Sequence, residues 1–161
     1  MAGKKSKTKD SQGSVAVNKK AYHNFELVEK FEAGVSLQGS EVKSLRNGQA
    51  DLSGSYARII GDECWLVGAS INQYDQAGIY NHEPVHNRKL LLHKIQIRKI
   101  KTKLDQRGFT FVPLRIYFNS RGLAKIELAL AQGKRQYDKR ASITEKQQKR
   151  DLDRDMKRFR R

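Results

Sequence analysis

Alternating apolar and polar positions run through the middle of the chain and predict β-strands. The alternation that begins at Phe25-Glu26-Leu27 continues imperfectly to Phe31. Gly34 then precedes a second run, Val35-Ser36-Leu37. Because alternation is typical of a half-buried strand and an internal glycine often marks a bend, this region is either a strand pair or one strongly bent strand.

Two further pairs of strand-like runs predict β-hairpins. Tyr56–Ile60 and Cys64–Val67 are separated by a Gly-Asp-Glu turn. Phe109–Phe118 and Leu123–Ala131 are separated by Asn-Ser-Arg-Gly. Short polar segments with glycine between two apolar runs are typical of hairpin turns. Pro113 cannot donate a backbone hydrogen bond, so it marks an edge position or a bulge in its strand.

Helical spacing occurs in two segments. Ser40–Arg46 has apolar side chains at i and i+3, and the following Asn47-Gly48 is a good helix stop, which predicts a short helix. Arg88–Leu104 carries apolar residues that fit an amphipathic helix ended by Gly108. Between these segments, Ser70–Asn87 contains a glycine, a proline and several polar residues, and is expected to be a long loop.

These elements predict a mainly β fold. Six or so short antiparallel strands with one or two covering helices are typical of a small closed β-barrel. For a basic chain, the oligonucleotide-binding (OB) type of antiparallel barrel is the leading candidate.

Positive charge is concentrated at the two ends of the chain, whose net charge is +16. Residues 133–161 carry twelve Lys and Arg against five Asp and Glu, with few apolar side chains. Such a segment cannot offset a backbone ordering cost of roughly 1–2 kcal/mol per residue. The sequence therefore predicts a globular domain over residues 18–132, between a disordered basic arm (1–17) and a basic tail that is disordered when free. Basic arms of this kind suit a polyanionic partner.

Several function classes are excluded by what the sequence lacks. It has no apolar run of the roughly 18 residues that a transmembrane helix needs and no apolar signal-peptide region, so no membrane partner is expected. Cys64 is the single cysteine, which predicts a cytoplasmic protein without disulfides, with Cys64 itself a small buried hydrophobic residue. His82 and His86 have the spacing of two metal ligands on a helix, but the intervening Pro84 argues against a helix there. Because Gly-rich phosphate loops and nucleophile elbows are also missing, the chain is expected to be no enzyme and to use no metal or cofactor.

Several short strings occur in order along the chain and together are far more specific than any one of them. They are Asn18–His23, Phe31–Gly34, Gly39–Arg46, Asn81–Pro84, Arg88–His93 and Gly133–Arg140. In this order they closely resemble the small protein B family, the bacterial SsrA-binding proteins. The resemblance runs from Asn18 into the basic tail, with small departures such as His86 and Gln132, where the family usually has Arg and Lys.

The resemblance implies a fold and a function. The fold would be an OB-type barrel with about three helices. The function would be to bind the tRNA-like domain of transfer-messenger RNA and to bring it to ribosomes stalled on broken messages. There the protein would stand in the place of an anticodon stem-loop, and its tail would sense the empty messenger channel. The free protein is expected to be a monomer.

The resemblance also implies an RNA-binding surface on the barrel, formed by Asn18, Lys19, Tyr22, His23, Glu32, Leu91 and Lys125. From residue type alone, Lys19, Tyr22, His23 and Lys125 suit phosphate contact and base stacking. Glu32 either accepts a hydrogen bond from a base amino group or a 2′-hydroxyl, or merely pairs with a neighbouring lysine. Without the resemblance, Leu91 would be assigned to the core, and Asn18 would be either a helix cap or a solvated polar residue.

In the tail, the resemblance implies contacts with the decoding centre and messenger channel by Gly133, Lys134, Arg135, Tyr137, Asp138, Lys139, Arg140, Leu152 and Met156. The ring of Tyr137 either stacks on a base or ends the last strand and packs on the barrel. Ser142–Glu145 form a capping box, and Leu152, Met156 and Phe159 share one helical face. This segment is expected to become helical on ribosomal RNA.

Two other functions remain open from the residues alone. A general single-strand or cold-shock-type OB protein would share the basic charge, but such proteins expose clustered aromatic residues on one face. A nuclease would need an acidic or histidine cluster, which the sequence lacks.

Overall fold

The computed structural model describes residues 13–106, 108–134 and 147. These contain nine strands, three α-helices and one 3₁₀ helix. The strands are β1 (Ser14–Val17), β2 (Phe25–Val35), β3 (Ala50–Asp51), β4 (Tyr56–Ile60), β5 (Glu63–Val67), β6 (Ser70–Ile71), β7 (Arg88–Leu91), β8 (Phe109–Phe118) and β9 (Ala124–Gly133). The α-helices are α1 (Lys19–Asn24), α2 (Gly39–Arg46) and α3 (Lys94–Leu104), and the 3₁₀ helix spans Asp75–Tyr80.

The main sheet is antiparallel and closes on itself. Its seven strands follow the order β1-β8-β4-β5-β7-β2-β9, and an additional pairing of β8 with β9 joins the far end back to the second strand. Strands β3 and β6 form a separate two-stranded sheet. The predicted mainly β, antiparallel fold is therefore confirmed.

The first predicted strand region is one bent strand and not a pair. Strand β2 is continuous from Phe25 to Val35, and its register against β9 shifts between Leu27 and Glu29. This bulge adds one residue to β2 and reverses the alternation, which explains why the pattern in the sequence is imperfect.

Both predicted hairpins and the short helix are confirmed. Strands β4 and β5 pair around a turn in which Gly61 has φ +61°, and β8 and β9 pair around a turn in which Gly122 has φ +73°. Pro113 lies at a register shift between Pro113 and Arg115, so it marks a bulge and not an edge. Helix α2 starts one residue before the predicted position.

The single helix predicted over Arg88–Leu104 is wrong. Arg88–Leu91 form strand β7, whose Leu90 is 2% exposed and lies opposite Cys64 of β5, and the helix begins only after His93. A short run of apolar residues is compatible with a helix or a strand. Here Arg88–Leu91 form a strand because they pair with the two neighbouring strands, β5 and β2. Likewise, the predicted loop Ser70–Asn87 contains β6 and the 3₁₀ helix.

The N-terminal boundary of the folded part also differs from the prediction. Ser14–Val17, which we assigned to a disordered arm, pair with β8. Residues 1–12 and the tail from residue 135 lie outside the described residues, Gln147 excepted. Four strands of four residues or fewer (β1, β3, β6 and β7) were not predicted as strands, because such short runs carry too little pattern to be recognised. Together with the merging of the first two expected runs into β2, they account for the difference between the six or so strands expected and the nine found.

The sheet has a core on each of its two sides at β8 and β9. Along β9, Ile126, Leu128 and Leu130 point into the main core, where Phe111 packs edge-on against Phe31. The alternate residues Ala129 and Ala131 point outward into a smaller cluster, together with Val112 and Leu114 of β8 and Ala21 of α1. Helix α1 therefore covers part of the outer face of the sheet.

A buried ion pair ties α2 to β7. Glu41 and Arg88 are 0% and 1% exposed, and Arg88 Nε donates to Glu41 Oε1 at 2.6 Å. The same guanidinium donates to the carbonyl oxygens of Ala69 (2.7 Å) and Pro84 (3.0 Å). Because a buried charge requires hydrogen-bonded partners, this network fixes the path of the segment between β6 and β7.

Candidate nucleic-acid interface

The outer face of strands β2, β9 and β8 carries a cluster of polar side chains around Glu32. Lys125 of β9 approaches the Glu32 carboxylate, with 3.4 Å between Nζ and Oε1. Tyr117 of β8 donates its phenol hydrogen bond to the same carboxylate. The Glu32 side chain is nonetheless 56% exposed. The cluster therefore holds a carboxylate in place while leaving it open to a ligand.

A second carboxylate, Glu127, lies directly opposite Glu32 on the neighbouring strand β9. It is mostly buried and receives Lys30 at 3.0 Å and Arg115 at 2.5 Å. Burial acts to raise the pKa of Glu127, but the hydrogen bonds and charges of Lys30 and Arg115 outweigh it, so the pKa is lowered overall. Glu127 is therefore an ionised structural residue that keeps two basic side chains on this face.

Leu91 lies beside this cluster and is exposed. In the sheet register, Gly34 of β2 is opposite Leu91 on one side and Lys125 on the other. Leu91 is 56% exposed, so the core assignment suggested by its residue type alone is wrong. A Cβ at Gly34 would come within 3.3 Å of Leu91 Cβ, so the missing side chain lets Leu91 lie close over β2. Glu32, Leu91 and Lys125, predicted separately, share one patch.

Helix α1 contributes Lys19, Tyr22 and His23, all of which are exposed. The outward residues of β9 link this helix to the Glu32 cluster. Every second residue of a strand lies on the same face, and on β9 the outward positions are Lys125, Glu127, Ala129 and Ala131. Ala129 and Ala131 pack under α1. Six of the seven predicted barrel residues therefore lie on the same outer side of the sheet.

Asn18, the seventh predicted residue, lies inside the protein. Its Nδ2 donates to the carbonyl oxygens of Leu52 and Pro113, both at 3.1 Å, and its Oδ1 accepts from the backbone N–H of Ala21 at 3.1 Å. The side chain is thus the N-cap of α1, one of the two roles that its residue type allowed, and it also joins the helix to two other parts of the chain. Its polar groups face the protein and not the outer surface.

The tail leaves the sheet next to α1. Gly133, the last residue of β9, is opposite Phe25, and the backbone N–H of Lys134 donates to the carbonyl oxygen of Asn24 at 3.0 Å. Lys134 Nζ lies 3.4 Å from the carbonyl oxygen of Tyr22. The other residues predicted for ribosome contact lie outside the described residues: Arg135, Tyr137, Asp138, Lys139, Arg140, Leu152 and Met156.

A sequence model described as "SmpB protein" matches residues 15–158, almost the whole chain. The chain belongs to the SmpB family. An SsrA-binding protein of Syntrophobacter fumaroxidans is 49% identical over 160 residues, which cover 99% of each chain. One of Trichodesmium erythraeum is 46% identical over 154 residues, covering 95% of this chain and 98% of the relative.

A solved structure also resembles this member of the SmpB family. It is described as "tmRNA-SmpB: a journey to the center of the bacterial ribosome" and matches with a TM-score of 0.65 and 45% sequence identity. The match covers 79% of this chain and 92% of the solved one. The resemblance stated from the sequence motifs is thereby confirmed.

Sequence reasoning missed three polar residues of this SmpB surface: Lys30, Arg115 and Tyr117. Each residue occupies an outward position in a strand: Lys30 in β2, and Arg115 and Tyr117 in β8. Strand β8 was predicted with its correct bounds, and β2 was predicted as a strand region. The two-residue period would have placed Tyr117 on the face opposite to Ile116. Its partnership with Glu32 could not be found this way, because the two residues are separated by 85 positions and by the intervening strand β9.

His82 and Cys64 of this SmpB chain are both buried in the fold. His82 is 2% exposed, with Nδ1 3.0 Å from Ser40 Oγ and Nε2 3.0 Å from the carbonyl oxygen of Ile71. Burial raises the pKa of the Cys64 thiol to about 12, which makes it unreactive. Residues 13–106 and 108–134 contain no group of three His, Cys, Asp or Glu that could hold a metal ion. None of the described helices is long and apolar enough to cross a membrane.

Proposed function

We propose that this chain binds the tRNA-like domain of transfer-messenger RNA and delivers it to stalled ribosomes for trans-translation. The observation that carries the proposal is the match over 99% of both chains to a relative named SsrA-binding protein. A similar chain in a structure described as "tmRNA-SmpB" on the bacterial ribosome supports it. A protein of this kind works by binding and not by catalysis, and its place is the cytoplasm.

The proposed RNA surface is the outer side of the sheet, here called the outer face: Lys19, Tyr22, His23, Glu32, Leu91 and Lys125. Lys19 and Lys125 supply charge for phosphates, and the exposed Tyr22 and His23 supply rings for stacking. Because phosphates repel the Glu32 carboxylate, its role would be to accept a hydrogen bond from a 2′-hydroxyl or a base amino group. The hydrogen bond that it accepts from Tyr117 and its ion pair with Lys125 fix the direction of the carboxylate before RNA arrives, which lowers the ordering cost of binding.

The barrel is proposed to be of the OB type, and the free protein is proposed to be a monomer. On the ribosome, the bound protein would stand in the place of an anticodon stem-loop. Its tail, beginning at Gly133 and Lys134, is proposed to follow the empty messenger channel. Tyr137 would stack in the decoding centre among Arg135, Asp138, Lys139 and Arg140. Further along, Leu152 and Met156 would lie on one side of a helix formed against ribosomal RNA. The support from geometry is the exit of the tail beside α1, at one end of the outer face.

Reconstituted translation tests this function. Ribosomes stalled on a message without a stop codon are incubated with charged transfer-messenger RNA, with and without the full chain. We expect the peptide tag to be added only when the chain is present. Equal tagging in its absence would contradict the proposal.

A further inference from the structure

A cavity of about 440 Å³ lies between α1, β8 and the start of β4. Its apolar lining consists of Ala21, Phe25 and Val112, which belong to the outer core cluster under α1. Its polar lining includes Lys20, Asn24 and Thr110. Small-molecule sites in proteins typically have volumes of about 300–1,000 Å³ and combine an apolar lining with a few polar groups, as this cavity does.

The cavity lies on the opposite side of α1 from the residues assigned to RNA binding. At about 100° per residue, Lys20 and Asn24 share one side of the helix, whereas Lys19, Tyr22 and His23 share the other. The two sides are joined through the contact of Asn24 Oδ1 with His23 Nδ1, at 3.1 Å. An RNA strand held on the exposed side of α1 is therefore within one helix width of the cavity.

Tyr56 brings an aromatic ring to the cavity. The next residue, Ala57, points into the main core and is opposite Phe111 of β8, so the Tyr56 side chain points to the outer face, towards the cavity. It is 43% exposed. A partly exposed ring above an apolar lining offers a stacking surface, and the nearby Lys20 offers a charge for a phosphate.

We infer that this cavity receives one unstacked nucleobase of the bound RNA, which stacks on Tyr56 while its phosphate lies near Lys20. The inference rests on the proposed RNA-binding function and adds a nucleotide-sized site to it. A base is chosen over a peptide side chain because the lining combines an aromatic ring with a lysine and amide groups, and because the chain carries a net charge of +16.

The test uses the full chain and a transcript of the tRNA-like domain, with binding measured at one fixed salt concentration. Tyr56→Leu keeps apolar bulk but removes the ring face, so Kd should rise roughly 5- to 150-fold, the equivalent of one lost base stack. Tyr56→Phe keeps the ring and should bind as the wild type does. Tyr80→Ala is the control, because Tyr80 is 83% exposed and does not line the cavity. Amide spectra show whether each variant is folded.

The outcomes separate this inference from the proposed function. If Tyr56→Leu binds normally while Lys125→Ala binds weakly, the cavity is not a base site, although the outer face still binds RNA. If neither substitution weakens binding, the cavity and the Lys125 surface are both excluded from the RNA interface. If the wild-type chain itself does not bind the tRNA-like domain, the proposed function is contradicted. RNA should also shift the amide signals of Gly54 and Thr110 in the wild type. If removal of the tail shifts those signals in the absence of RNA, the occupant is the tail of the chain, and the inference is overturned.

Discussion

The phenol of Tyr117 on β8 donates a hydrogen bond to the carboxylate of Glu32 on β2, although β9 lies between these strands. Burial and the adjacent Glu32 carboxylate raise the pKa of Tyr117 to about 12, so the phenol remains a donor at neutral pH. Lys125 approaches the same carboxylate from β9. Three strands thus determine the position of one exposed acceptor, and this arrangement leads to the first prediction.

Glu32→Ala and Lys125→Ala should each weaken binding of the tRNA-like domain by about 1–3 kcal/mol and leave the fold intact, because a polar contact to a base or hydroxyl is lost from an exposed site. Gel-shift titration at several salt concentrations measures this. Glu63→Ala is a matched control, since Glu63 also pairs with a lysine of a neighbouring strand, Lys89. Normal binding by both Glu32→Ala and Lys125→Ala would remove the outer face from the RNA surface.

Asn18 is expected to matter for stability. Asn18→Ala should lower the free energy of unfolding by about 1–3 kcal/mol, because it leaves the buried carbonyl groups of Leu52 and Pro113 without their donor and removes the cap of α1. Asn18→Asp keeps the cap oxygen but puts a charge against those two carbonyls, so it should be no more stable than Asn18→Ala. Urea unfolding measures both, with the exposed Lys19→Ala as control. Wild-type stability of Asn18→Asp would show that only the cap oxygen counts.

Glu127 should make the stability depend on pH. Its pKa in the folded chain is below the ordinary value of 4.5. A carboxylate of this kind stabilises the fold above its unfolded pKa, and the stabilisation is lost as pH falls through the folded pKa. Glu127→Gln should therefore be less stable than the wild type at pH 7, and the difference should shrink below about pH 4. Urea unfolding at pH 7, 5 and 3 measures it; an equal difference at all three values would contradict the assignment.

The secondary structure could be predicted from the sequence where the local pattern and the turn residues agreed, as in the β8–β9 hairpin. The prediction failed where pairing with a partner strand determined whether a segment is helix or strand. Leu90 and Leu91 fit a helix as well as a strand, and their pairing with β5 and β2 is invisible locally. For the site, residue type and motif identified Glu32 and Lys125. Their third partner, Tyr117, depends on the register of three strands, which no short pattern encodes.

The start of the tail defines where a truncation should be made. Ending the chain after Gln132 would remove Gly133 from β9 and the hydrogen bond of Lys134 to Asn24, so the cut belongs after Lys134. This truncation should reduce RNA binding modestly and flatten its salt dependence, because fewer phosphates are neutralised. Tagging on stalled ribosomes should be lost. A truncated protein that still supports tagging would show that the tail is not the decoding-centre element.

This chain is proposed to recognise one folded RNA and not RNA in general, and competition binding at physiological salt tests that specificity. The full chain is bound to labelled tRNA-like domain and challenged with unlabelled tRNA-like domain, bulk tRNA or single-stranded oligonucleotides of equal nucleotide concentration. Non-specific binding through basic residues is weak at this salt, so only the unlabelled tRNA-like domain should displace the label efficiently. Equal displacement by single-stranded oligonucleotides would instead identify a general single-strand-binding protein and rule out specific recognition of the tRNA-like domain.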